Sequence, residues 1–122
     1  MELKQCGRSG LYLSALGLGT LTWGRDTDGP EAHDMLKAFV DAGGNLVEGS
    51  PAHGDGTAVD VLSEGLSSIG RHRVALVWRG AVRRAGEGAW VSAAGRGDLL
   101  RSLDDALARL DTDYVDVWLV EP

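Results

Sequence analysis

Four short apolar runs alternate along this chain with three stretches of helical period, and that alternation limits the fold more than any single motif does. The runs are Ala15 to Leu18, Asn45 to Val47, Val74 to Trp78 and the segment DYVDVWLV, Asp113 to Val120. After the first, Pro30 stands where an opening helical turn accepts it, and Ala32, Met35, Leu36, Phe39 and Val40 recur at spacings of three and four until Gly43-Gly44. After the second, Ala58 to Ile69 sets Val61, Leu62, Leu66 and Ile69 on one side. Before the last, Asp98 to Leu110 carries Leu99, Leu100, Leu103, Leu107 and Leu110 as one stripe, with Asp98 where the helix dipole favours an anion. Strands that alternate with helices are joined by right-handed crossovers, so they run parallel in an α/β layer. Four such strands are half of a (β/α)8 barrel.

Two further segments complete the chain. Leu3 to Cys6 and Leu11 to Ser14 flank the turn Gly7-Arg8-Ser9-Gly10 and read as a small β-hairpin ahead of the first barrel strand. Gly80 to Gly95 is rich in Gly, Ala and Arg without a steady period, which predicts a long loop.

Composition narrows the function classes. With 122 residues and 43% of them hydrophobic, the chain has the material for a core in a single domain. Eighteen acidic residues against twelve basic ones give a formal charge of −6, the wrong sign for binding nucleic acid or an anionic lipid surface. Cys6 is the only cysteine, which excludes an intrachain disulfide and fits a reducing cytoplasm. MELKQCGRSG is not a secretory leader, and no run of roughly 18 apolar residues follows, so a soluble, unexported protein is expected. Neither GxGxxG nor GxxxxGK[ST] occurs as a phosphate cradle.

Five segments taken in order, GRSGLYLSALGLGT, LTWG, DAGGN, HGDG and LDDALARLDTDYVDVWLVE, make the chain resemble the N-terminal half of an aldo-keto reductase over essentially all its length. The resemblance implies a (β/α)8 architecture and a family chemistry in which NADPH reduces aldehydes and ketones. Its catalytic Asp, Tyr, Lys and His map onto Glu48, His53, Arg79 and Glu121, so all four are substituted. Its cofactor contacts map onto Gly19, Thr20, Trp23 and Gly24, and the remaining ones belong to later strands, so weak or absent NADPH binding by this chain alone is expected.

Each substitution has a chemical meaning. Glu48 retains a carboxylate on a longer arm, enough to displace a hydrogen bond that catalysis holds within about half an ångström. Arg79 retains the charge but is broad, planar and permanently protonated, unlike a compact ammonium beside a phenol. His53 can donate a proton near neutrality, since a free imidazole titrates at roughly pH 6.5. Glu121 faces a developing alkoxide with an anion, the reverse of oxyanion stabilisation.

Two readings compete for these four residues. One is a repurposed acid/base site; the other, favoured because crowded charges are normally paired, is a structural network in which Arg79 bridges two carboxylates. A metal held by Glu48, His53 and Glu121 is disfavoured by the cation beside them. Trp23 either lines a substrate pocket or caps the barrel mouth, while Trp78 and Trp118 are expected to pack within strands. His33 and His72 are expected at the surface, and Arg83 and Arg84 either attract an anionic ligand or, the favoured reading, lie in a solvated loop. Asp116 is expected in mid-strand as a structural group of the barrel interior.

A half barrel leaves two strand edges and a concave face open. The expectation is therefore a domain inactive by itself that acts through self-association or with a complementary C-terminal half. The alternative is an NADPH-dependent reductase completed by a second chain, with His53 as its proton donor. A third reading is a small binding module using the Gly80 to Gly95 segment.

Overall fold

A computed structural model describes residues 1 to 121 as a four-stranded parallel sheet with helices on one side and two small hairpins attached. The elements in chain order are β1 (Leu3–Gln5), β2 (Tyr12–Ser14), β3 (Gly17–Gly19), α1 (Gly29–Asp41), β4 (Leu46–Gly49), α2 (Ala58–Ile69), β5 (Ala75–Gly80), β6 (Val82–Arg84), β7 (Trp90–Ser92), α3 (Arg96–Leu110) and β8 (Val117–Val120). Short 3₁₀ turns cover His53–Gly56 and Arg71–Arg73. The parallel sheet has the order β3-β4-β5-β8, so β3 and β8 are its edges. This is the expected half barrel preceded by a hairpin.

The helices start and stop for local reasons. Asp28 caps α1 by accepting the Glu31 amide at 2.9 Å, with Pro30 in the first turn, and Gly43 at φ +91 turns the chain away at the other end. α2 ends at Gly70 with φ +97. α3 begins at Arg96, two residues before Asp98, and stops on Asp111 in the left-handed region.

The core lies between the sheet and the three helices. Leu36 of α1, Leu62 and Leu66 of α2, Leu76 and Trp78 of β5 and Leu110 of α3 are at most 2% exposed. Burying an aliphatic side chain of that size contributes roughly 1.5 to 3 kcal/mol. Gly49 makes room for Trp78: a Cβ there would lie 2.6 Å from Cζ3 of the indole. The stripe expected on α3 is displaced, because Leu100 is 60% exposed while Ala106 and Leu110 are buried. At 100° per residue the packed face centres on Leu99, Leu103, Ala106 and Leu110, which leaves Leu100 on its flank.

Three further expectations are corrected. Gly80 to Gly95 is not a structureless loop: β6 and β7 pair antiparallel in the register Val82↔Ser92, Arg83↔Val91 and Arg84↔Trp90, closed by Ala85 to Ala89 with Gly86 at φ +61. His33 is half-buried between helices, its Nε2 lying 3.0 Å from the Val61 carbonyl. Asp116 precedes β8 instead of standing mid-strand, and accepts hydrogen bonds from Arg71 Nη2 at 2.9 Å and the Leu76 amide at 2.7 Å. As expected, Trp78 is buried and Trp118 packs against the core, while His72 lies exposed in its turn.

β1 and β2 close the end of the sheet where its strands begin. Asn45 donates from Nδ2 to the Tyr12 carbonyl and accepts the Ser14 amide at 2.7 Å, while the Ser14 hydroxyl accepts the Asn45 amide. This lock leaves the opposite, C-terminal end of the strands open.

Candidate functional site

Strand register decides which side chains share the concave face. Glu48 pairs with Val77, Val77 with Val117 and Arg79 with Leu119, so by the two-residue period of a strand all five point away from the helices. Glu48 and Arg79 stand at the C-terminal ends of β4 and β5, Glu121 follows β8, and His53 opens the turn after β4. Four residues separated by up to 73 positions are thereby brought to one rim.

Arg79 is the centre of the cluster. Its Nε donates a short hydrogen bond to Glu48 Oε1, and its Nη1 lies 3.6 Å from Glu121 Oε1. The guanidinium thus bridges two carboxylates. The hydrogen bond to Glu48, then that residue's charge and Glu121, hold it even more firmly protonated than a free arginine. Glu121 is positioned by its own amide, which donates to the Gly80 carbonyl at 3.2 Å, and by its carbonyl, which accepts the Ser92 hydroxyl at 3.1 Å.

His53 is the most enclosed member, with a side chain 12% exposed. Nδ1 lies 3.0 Å from Thr20 Oγ1, and Nε2 lies 4.0 Å from Glu48 Oε1, beyond hydrogen-bond reach. Burial lowers the imidazole pKa, Arg79 lowers it further, and Glu48 and Glu121 raise it in part. The imidazole is therefore biased toward its neutral form. The Thr20 hydroxyl can donate to Nδ1 or accept from it, according to the tautomer of the ring.

The loop from Gly19 to Gly24 rests on the turn after β4, where the Gly54 amide donates to the Leu21 carbonyl at 2.7 Å. Trp23 is 1% exposed and belongs to the core. Thr20 is equally buried and is occupied by His53. Gly24, at φ +82, is pressed onto Thr57, whose hydroxyl a Cβ would overlap. Gly19, beside Glu48, is exposed together with Leu21, Thr22 and Gly24.

A second cluster was not anticipated. Asp55, at φ +54 between Gly54 and Gly56, accepts from Trp90 Nε1 at 3.0 Å and from Arg84 Nη2 at 3.1 Å, and its carbonyl accepts Arg84 again at 2.7 Å. The Arg84 guanidinium also lies 4.4 Å from the centre of the Trp90 ring. The Trp90 bond first, and then Arg84, lower the Asp55 pKa. Arg84 is thus bound into structure instead of solvated, and the β6–β7 hairpin is fastened to the turn that carries His53. The acid between two glycines in HGDG was the visible signal, since a left-handed Asp flanked by Gly marks a rigid turn.

Comparison with known proteins follows the same outline. Residues 15–121 match the model of the Aldo/keto reductase family. A rice protein, Oryza sativa subsp. japonica, named "Probable voltage-gated potassium channel subunit beta", is 33% identical over 118 residues, 96% of this chain and 36% of its own length. The aldo-keto reductase YhdN of Bacillus subtilis is 28% identical over an alignment of 132 residues, covering 98% of this chain and 38% of that protein. Among solved structures, an aldo-keto reductase from Bacillus halodurans in its holo form superposes with a TM-score of 0.88 at 25% identity, covering 98% of this chain and 40% of the other. The chain thus spans well under half the length of these relatives.

Proposed function

The chain belongs to the aldo/keto reductase family, and from that premise we propose that this half barrel does not itself reduce carbonyls and that it acts by association with a second half barrel. The observation that carries the first part is the closed charge network at the tetrad positions. Arg79 lies between Glu48 and Glu121, so its charge is already paired with two carboxylates and it is not a free cation for an incoming oxygen. A carbonyl oxygen gaining negative charge at this rim would meet two carboxylates, and preorganised donors are what such a step needs. His53, 12% exposed and with Nε2 4.0 Å from Glu48, is the remaining neutral side chain at this rim.

NADPH, which members of the family use as their reductant, would find little here to hold it, because Thr20 and Trp23 are buried and Gly24 is packed against Thr57. Titration of the purified chain with NADPH, followed by tryptophan fluorescence and by NADPH oxidation with an aromatic aldehyde, tests the proposal. The expected result is no saturable binding in the micromolar range and no turnover. Micromolar binding with aldehyde-dependent oxidation would overturn it.

The second reading, a reductase completed by another chain, is favoured by one feature: the tetrad positions still converge at the C-terminal rim. In that assembly His53 is the proton donor. Unchanged turnover by His53→Ala in the reconstituted complex would remove that role.

A further inference from the structure

The sheet has a second cavity on its other side. A pocket of about 360 Å³ lies between the β6–β7 hairpin, the end of β5 and α3. It opens on the helix side, because Trp78 in its wall alternates with Arg79 and so points away from the tetrad rim. That volume is at the lower end of the range of small-molecule sites.

Small residues create the space. Ala81, Ala93, Ser102 and Ala106 stand where larger side chains would fill it, and Val59, Trp78 and Val82 give it an apolar floor. Asp98, Arg101, Ser102, Asp105, Ala106 and Arg109 recur at spacings of three and four, a second stripe on α3 that faces the hairpin. Hence α3 has two working faces, one packed on the sheet and one walling the pocket.

Two observations mark the pocket as more than a packing gap. Ala81, 1% exposed in the wall, holds φ +64, a left-handed conformation costly for any residue with a Cβ, and its carbonyl accepts the Ala93 amide at 2.7 Å. Trp78, also in the wall, has an Nε1 that is buried without an acceptor among the described residues. Strain and an unpaired buried donor both cost stability, and both fall on the same cavity.

The rim supplies charge. Arg83 forms no ion pair among the described residues, and Arg101, 72% exposed, pairs with Asp98 at 3.1 Å. Both guanidinium groups can take a carboxylate at the mouth. We propose that this pocket binds a small aromatic carboxylate, its ring lying on the apolar floor and its carboxylate held by Arg83 and Arg101. The site is independent of the tetrad cluster and of any association of half barrels.

The test is a ¹H–¹⁵N NMR titration of the full chain with benzoate, and separately with benzylamine. Benzoate is expected to shift the indole N–H resonances of Trp78 and Trp90 saturably, to leave those of His53 in place, and to bind more tightly than benzylamine. Arg83→Gln, an exposed change that spares the fold, is expected to weaken benzoate binding by roughly tenfold. Ser102→Phe, which fills the cavity, is expected to abolish it. The proposal is overturned by no saturable shift, by benzylamine binding as well as benzoate, or by benzoate binding equally to wild type, Arg83→Gln and Arg101→Gln.

Discussion

His53 is an enclosed imidazole that its surroundings hold toward the neutral form. Burial biases the imidazole toward neutrality, so the folded state binds the proton less readily than the unfolded chain does. Stability from this residue is therefore complete above the unfolded value of roughly 6.5 and falls as pH drops below it toward the lowered folded value. Chemical denaturation of wild type and His53→Gln at pH 7.5 and 5.5 checks this. The wild type should lose more stability on acidification than the variant, and an equal loss would show that His53 is not held neutral. The four tetrad positions came from the family resemblance, and the structure places each of them at or just beyond a strand end. The direction of Trp23 was not legible, since an indole after a glycine loop can turn inward or outward, and only its burial in the core settles it.

Elements were legible in proportion to their length. α2 runs from Ala58 to Ile69 in both readings because twelve residues carry a full amphipathic pattern. β6 and β7 were not legible, since three residues each give no measurable period, and their pairing is secured by Trp90 and Arg84 reaching Asp55, about thirty positions away in sequence. Asp116 was misplaced for a related reason: its apolar neighbours suggest a strand, but its role is to join Arg71 and β5 to the start of β8. Arg71 depends on this acid as its charge partner, while its other contacts go to the Thr112 hydroxyl, the Val74 and Tyr114 carbonyls and the Tyr114 ring. Asp116→Ala should therefore destabilise by about 3 kcal/mol, since it removes two hydrogen bonds to a carboxylate, one of them an ion pair less than 20% exposed on either side. Urea denaturation measures it, and a loss within experimental scatter of zero would show that the junction is held by the strand pairing alone.

For the whole molecule, the two edges and the concave face pose a single physical problem. β3 and β8 are unpaired on their outer sides, Leu119 and Val120 of β8 are 41% and 53% exposed, and Leu16 and Leu21 flanking β3 are 66% and 62% exposed. A twofold axis along the barrel would pair β8 of each copy with β3 of the other in parallel, closing eight strands and covering both concave faces together. Stable interfaces bury about 1,200 to 2,000 Å² in total, and closure along two edges and a shared core is the arrangement here able to reach that. Light scattering over a roughly hundredfold concentration range should then show a dimer that dissociates on dilution. Val120→Lys, which sets a charge on the β8 edge, should shift the balance to monomer without changing the helix content of the chain. A wild type that stays monomeric throughout would end the self-association reading and leave a complementary chain as the partner to seek. A dimer unaffected by Val120→Lys would place the contact elsewhere, away from the edge that the sheet leaves open.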